Sequence, residues 1–318
     1  MTDERKKALR AAILAGGLAA VMVAGYGVAL YGGIDAVSFG VLIGFPLISG
    51  FAITRLRPEG KFEHWGARIL WSQGVVILAV ALSYFAGLES MICIAIGLAP
   101  VLMAAGIGAL IGIFAVRRKE ASRLNLVALP VVVAFLVAVP ATPETLVETS
   151  DTITIDAPPS LVFSMLKTIE DIDPSEVPTT FTHLLGVPKP IAAHWVEHPE
   201  GARRHSFWGD DVHFVEVIRS VTQDREIAWD FEFPDGWSGA RVFDPHIEVG
   251  GENFDVLSGS YRLEDAGGKT RLTLTTLTRE SSGFGAYARL WHRVFIGDFH
   301  KAILEVVRAR AEAEAHDT

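Results

Sequence analysis

The chain has 318 residues, half of them apolar, with a mean hydropathy of +0.34 and a formal charge of −9. The charge is split: residues 1–140 hold 12 Lys/Arg against 7 Asp/Glu, and residues 141–318 hold 16 against 30, for nets of +5 and −14. So acidic a second part excludes a nucleic-acid binder, which needs clustered Lys and Arg. The lone Cys93 excludes an intramolecular disulfide framework and any cysteine-cluster metal site.

About 20 apolar helical residues cross a bilayer core. Five segments meet or approach that length: Ala8 to Tyr31, Ala36 to Ile53, Ala67 to Ala86, Met91 to Val116, and the shorter Leu124 to Val139 with Pro130 inside it. The first reads as an anchor and not a signal peptide, because four more follow it. Arg5, Lys6, Lys7 and Arg10 precede the first span. Arg55, Arg57, Lys61 and Arg68 follow the second, and Arg117, Arg118, Lys119 and Arg123 follow the fourth. The turns around Asp35 and Glu89 carry no Lys or Arg. This bias places the amino terminus in the cytoplasm. Five spans then put the carboxy-terminal domain outside it, in the periplasm if the cell is bacterial. No charge lies deep in a span, so the mark of an ion path is missing. Gly108-x-x-x-Gly112 reads as close helix packing, and Cys93 as a packing residue.

Residues 141–150 read as a short acidic linker. The stretch "DTITIDAPPSLVF" alternates like a strand through Ile155, breaks at Ala157-Pro158-Pro159 and restarts as a helix. Strand-like runs follow at Ile191–Glu197, Arg203–Trp208, His213–Val221, Glu226–Phe233, Asn253–Leu263 and Thr270–Thr278. Turn-rich breaks such as "HPEG" and "EDAGGK" separate them, which is the pattern of an antiparallel meander. One long helix closes the chain, from about Gly283 to Ala315, with Ser282 as its cap. Its stripe comprises Phe284, Tyr287, Ala288, Trp291, Val294, Phe295, Ala302, Ile303 and Val306, with Arg293 and His300 expected on the wet face.

The elements "ITIDAPPSLVFSML", "GSYRLEDAGGKTRLTLTT" and "ARLWHRVFIGDFHKAILEVVRARAE", in that order, resemble the START-like, or SRPBCC, superfamily, which includes Bet v 1-like and polyketide-cyclase-like domains. The resemblance covers about residues 150–315; the membrane half carries none. It implies an α+β helix-grip domain, residues 151–318, in which a curved antiparallel sheet surrounds a long carboxy-terminal helix. The expected architecture is thus an all-α transmembrane bundle, residues 1–140, followed by that domain. Members hold hydrophobic molecules in an elongated cavity between sheet and helix, and some are cyclases or hydrolases.

Trp229, Phe231 and Phe233 share one strand face. Tyr261, Leu263, Leu272 and Leu274 share another on the last hairpin, and Tyr287, Trp291 and Phe295 lie on the helix. They line a ligand cavity or fill a core, and spacing alone leaves both open; the resemblance favours the cavity. Asp298 falls within the helix's apolar stripe, where a carboxylate must be paired, protonated or wet. It meets a ligand's polar end, acts as an acid or base, or braces the fold. The histidines, among them His194, His198, His205, His213, His246 and His292, show no ligand spacing. Ser206, His213 and Asp211 make a triad only on paper, because no nucleophile elbow supports it. No metal, cofactor or catalytic residue is assigned. The leading expectation is a membrane-tethered module that binds or transfers a hydrophobic ligand, most naturally a lipid. A cyclase- or hydrolase-like enzyme and a ligand-sensing interaction domain are the alternatives. A cavity without polar groups favours binding, and two convergent titratable groups at its floor favour catalysis.

Overall fold

A computed structural model of the chain describes residues 3–32, 40–58, 62–117, 144–210, 212–235, 237, 249–251, 253–282 and 284–317. They divide into two compact units, one ending at Ala141 and the other beginning at Thr142.

The first unit is helical: α1 Asp3–Tyr31, a π-turn Gly40–Gly44 running into α2 Phe45–Arg55, α3 Trp65–Phe85 and α4 Met91–Arg117. Helices α1, α3 and α4 are long and apolar enough to cross a membrane; the apolar run Gly40–Arg55 is shorter. The expected fifth span, 124–139, lies outside the described residues. Helix α2 packs on α4, and α1 on α3. A Cβ at Gly50 would overlap the Ala105 carbonyl, and one at Gly108 the Leu47 carbonyl. The glycine pattern of α4 therefore serves close backbone approach, as its spacing suggests. Ile13, Val21, Leu70, Ile77, Met103 and Phe114 point outward and are exposed, the reverse of a water-facing surface.

The second unit is a seven-stranded antiparallel sheet in the order β1-β7-β6-β5-β4-β3-β2. The strands are β1 Thr145–Ile155, β2 Pro190–Val196, β3 Arg203–Trp208, β4 Val212–Thr222, β5 Glu226–Glu232, β6 Phe254–Asp265 and β7 Thr270–Glu280. Two short helices, α5 Pro159–Lys167 and α6 Phe181–Leu184, lie between β1 and β2. Helix α7, Ala286–Asp317, closes the fold against β1 and β7. Most of the expected linker is strand: Val147 and Thr149 are buried while Leu146 and Glu148 face out. Its acidic residues sit on the solvent side of β1, which is why composition alone reads as linker.

The inner face of β7 changes character along its length, from Leu272 and Leu274 to Thr276, Thr278 and Glu280, all buried. Helix α7 matches it. Leu304, Val307 and Ala311 join the apolar core with Ile155, Phe163, Trp229, Tyr261 and Leu272. Over the polar end stand His300 and His292. His300 Nε2 lies 2.8 Å from Thr276 Oγ1 and its Nδ1 2.8 Å from Asp151 Oδ2; His292 Nδ1 lies 3.2 Å from Thr278 Oγ1. This overturns the expected wet-face position of His300, which is only 2 % exposed. A stripe drawn through apolar residues alone misses a histidine whose partners are a sheet hydroxyl and a sheet carboxylate. Arg293 is exposed as expected.

Candidate functional site

A cavity of about 50 Å³ lies between the β2–β4 half of the sheet and α7. Most of its wall is apolar: Met165, Leu166, Ile169, Ile172, Ala193, Trp208, Phe214, Ile303, Val306 and Val307. Arg204, Ser206, Glu216 and Tyr261 supply its polar groups. Arg204 and Glu216 are register partners on β3 and β4 and are 5 % and 4 % exposed.

The pair is closed on itself. Arg204 Nε donates to Glu216 Oε2 at 2.6 Å, and Nη2 of the same guanidinium meets that carboxylate. Arg204 Nη1 donates to the Leu166 carbonyl at the end of α5. Ser206 Oγ donates to Glu216 Oε1 at 3.1 Å. The guanidinium carbon also lies 5.2 Å from the ring centroids of both Trp229 and Tyr261, within cation–π range. Burial pushes the Glu216 carboxyl above its ordinary range despite the facing cation. Burial pulls the Arg204 guanidinium down, but Glu216 and Tyr261 outweigh it, and the net shift is upward. Removing two charges from water costs several kcal/mol per ion, and the fold bears that cost on the cavity wall.

Of the residues expected to bind a ligand, Tyr261 lines this cavity. Trp229, Leu272 and Leu274 are core, 2 %, 0 % and 2 % exposed. Trp229 lies flat over Gly259, where any Cβ would strike the indole. Phe231 and Phe233 stack with each other and reach the lining residue Phe214 at 5.8 and 5.9 Å between centroids. Trp291 stacks on Phe295 at 5.5 Å and on Phe181 of α6 at 6.3 Å, with Tyr287 edge-on. Asp298 Oδ2 accepts the Thr182 N–H at 2.8 Å, so it braces the start of α6.

Sequence reasoning missed Arg204 and Glu216, and weighed Ser206 only for a triad, although a signal exists. Arg204 and Ser206 are in phase with Trp208, and Glu216 is in phase with Phe214 and Ile218, so opposite charges occupy inward positions on neighbouring strands. The paper triad does not form: Ser206 is turned to Glu216, whereas His213 lies 3.1 Å from His205 Nδ1. Among the described residues no three His, Cys, Asp or Glu converge as metal ligands.

A strap from Thr168 to Lys189 covers the edge strand β2 beside the cavity. Ile169 and Ala193 exchange backbone hydrogen bonds of 2.9 and 2.8 Å, and Ile172 N donates to Ile191 O at 2.9 Å. Ile172 and Val177 pack on Ala302 and Val306 of α7. Arg310 clasps both carboxylate oxygens of Glu176 and the carbonyls of Glu170 and Asp171, holding the Glu176 carboxyl below its usual range.

Strand order and closing helix define an α+β helix-grip domain. No protein-family profile and no curated protein matches the sequence. Solved structures with a similar fold include Ara h 8.0201, 12 % identical with a TM-score of 0.34, covering 53 % of this chain and 99 % of its own. The Zhui aromatase/cyclase from Streptomyces sp. R1128 is 19 % identical with a TM-score of 0.33, covering 54 % and 96 %. The di-domain ARO/CYC BexL is 14 % identical with a TM-score of 0.34, covering 62 % and 59 %.

Proposed function

We propose that this is an integral membrane protein whose helix-grip domain, outside the cytoplasm, binds or transfers a hydrophobic small molecule with one polar end, most naturally a lipid. The largely apolar cavity wall carries the reading. Arg204 and Glu216 are two titratable groups on that wall, but they are spent on each other and on Ser206. That leaves them as fixed polar anchors and not as the free convergent pair that favours catalysis. A pocket that grips an apolar body and orients it by a few fixed polar groups has this composition. At about 50 Å³ the cavity is smaller than a lipid, so uptake of one needs this part of the fold to widen, and the strap lifting from β2 would do so. A tether suits the task, because it keeps the domain at a high effective concentration beside the bilayer.

Catalysis on a hydrophobic substrate is the second reading, and Glu216 is the observation that favours it, being a raised carboxyl at a cavity. Its oxygens are engaged by Arg204 and Ser206, which suits a fixed dipole better than a proton carrier. Mass spectrometry of molecules that co-purify with the full chain separates the readings. Wild type should carry a lipid-like species unchanged in mass, and Ala193→Phe, which fills the cavity, should lose at least about tenfold of it. A species that is chemically converted on incubation supports the enzyme. Absence of any bound species, with no uptake of fluorescent lipids, rejects both.

A further inference from the structure

Three side chains beside the cavity form a relay. Asp151 of β1 and Thr276 of β7 lie on the inner face of the sheet. His300 of α7 joins them, with Nδ1 2.8 Å from Asp151 Oδ2 and Nε2 2.8 Å from Thr276 Oγ1. A carboxylate only accepts, so it fixes the imidazole proton on Nδ1. Nε2 then carries a lone pair, and the Thr276 hydroxyl donates to it. Burial holds the imidazole below its ordinary pKa although Asp151 opposes this, which leaves that lone pair unprotonated at neutral pH. A hydroxyl on a neutral Nε2, backed by a carboxylate on Nδ1, is the arrangement that activates an alcohol as a nucleophile.

Two polar groups in the same row take no part in the relay. Trp229, Gly259, Thr276 and Thr149 are successive register partners across β5, β6, β7 and β1, so they share the inner face. The indole lies on Gly259, with Nε1 2.9 Å from where a Cβ would stand. Trp229 Nε1 and Thr149 Oγ1 are both buried without a hydrogen-bond partner, whereas buried polar groups are nearly always paired. One glycine away from the Thr276 hydroxyl, an N–H is thus left for an oxygen that the protein does not supply.

The row adjoins the cavity on helix and sheet alike. Ile303 of the cavity wall is three residues from His300 and therefore its neighbour on α7. Tyr261 of the wall follows Gly259 on the same face of β6. Thr276 is 5 % exposed, so a reactant comes to it through the cavity.

We infer that Asp151, His300 and Thr276 are a hydrolytic triad for carboxylic esters with an apolar acyl chain, and that Trp229 Nε1–H receives the carbonyl oxygen. Thr276 Oγ1 bonds to the carbonyl carbon as its proton passes to His300 Nε2. The carbon–oxygen bond to the alcohol breaks, and the alcohol leaves with that proton. Water then cleaves the acyl-threonine by the same path, releasing the acid and restoring the hydroxyl. The inference rests on the proposed binding function only in taking the cavity as the way in.

The full chain is incubated with p-nitrophenyl dodecanoate and, separately, with an alkyl fluorophosphonate. Wild type should release p-nitrophenol, and tandem mass spectrometry should place the phosphonate on Thr276. Thr276→Val, which keeps the shape, should abolish both, and Thr276→Ser, which keeps the hydroxyl, should retain them. Asp151→Asn should slow cleavage at least about a hundredfold in a chain that still melts cooperatively. Undiminished cleavage by Thr276→Val overturns the inference, and so does phosphonate found only on another residue. A cooperatively melting wild type that neither cleaves the ester nor takes up the phosphonate also overturns it, and the relay is then a brace between sheet and helix. If that unreactive chain still carries a lipid, the binding function stands without the triad. Labelling at Thr276 in a chain that carries no lipid supports the triad and overturns the binding function.

Discussion

Glu216 and Arg204 make the sharpest claim at the scale of single residues, because each is tolerable in the interior only through the other. Glu216→Ala should cost about 3–5 kcal/mol, since it strands a buried guanidinium. Replacing both, Arg204→Met with Glu216→Leu, should restore most of that stability while ligand content stays low. Urea denaturation of the two variants, set beside their lipid content, checks this. Recovery of both together would make the pair purely structural. His292 gives a pH signature. Burial depresses its imidazole from the usual 6.5 to about 4, with Arg289 adding to the effect. Its folded pKa lies below the unfolded one, so the associated stability is present above about pH 6.5 and drains away as pH falls towards 4. At about 1.4 kcal/mol per pH unit the loss comes to roughly 3 kcal/mol. His292→Gln, which keeps a partner for Thr278, should flatten that part of the stability–pH curve relative to wild type. An unchanged slope would show that the acid limb arises elsewhere.

Among the elements, the strap is the part whose motion matters. It is held to β2 by three backbone hydrogen bonds, by Trp195 N–H on Thr168 Oγ1 and by His194 beside Glu170. It is held to α7 by the Arg310 clasp, the Thr182–Asp298 bond and the packing of Ile172 and Val177. Arg310→Ala should speed exchange of a fluorescent lipid severalfold and leave equilibrium capacity nearly constant; stopped-flow uptake measures it. Slower or unchanged exchange would place the entrance elsewhere. Helix α7 shows what an element's own pattern conceals. Its aromatic residues suggest one stripe, yet the sheet takes another that includes His300, because β7 offers threonines there and not leucines. The strands were legible, and Arg203–Trp208 coincides with β3 to the residue, because alternation survives in every half-buried strand. The edge strand β1 extends further towards the amino terminus than its pattern suggests, because Glu148 on the solvent face and Asp151 beside His300 give its first half an acidic composition.

At the scale of the whole molecule, the division at Ala141 and Thr142 implies that residues 142–318 fold alone as a soluble domain. Expression of that fragment should give a cooperative melt. A fragment soluble only with the helices attached would move the boundary. If the proposed arrangement holds, with five spans and the basic loops in the cytoplasm, a reporter after Thr318 should be active only outside the cytoplasm. Activity inside would remove one span, with 124–139 the first to doubt. By itself the sequence determined the two-part organisation, the strand meander and the closing helix, because charge partition, alternation and helical period are local properties. Which residues meet was decided only by tertiary structure. Register sets Arg204 opposite Glu216, Gly259 admits Trp229 into the core, and the Thr182 N–H engages Asp298, for which spacing had left ligand contact, acid–base work and bracing all open. Pairing across strands depends on where each begins against the next, and no single strand carries that information.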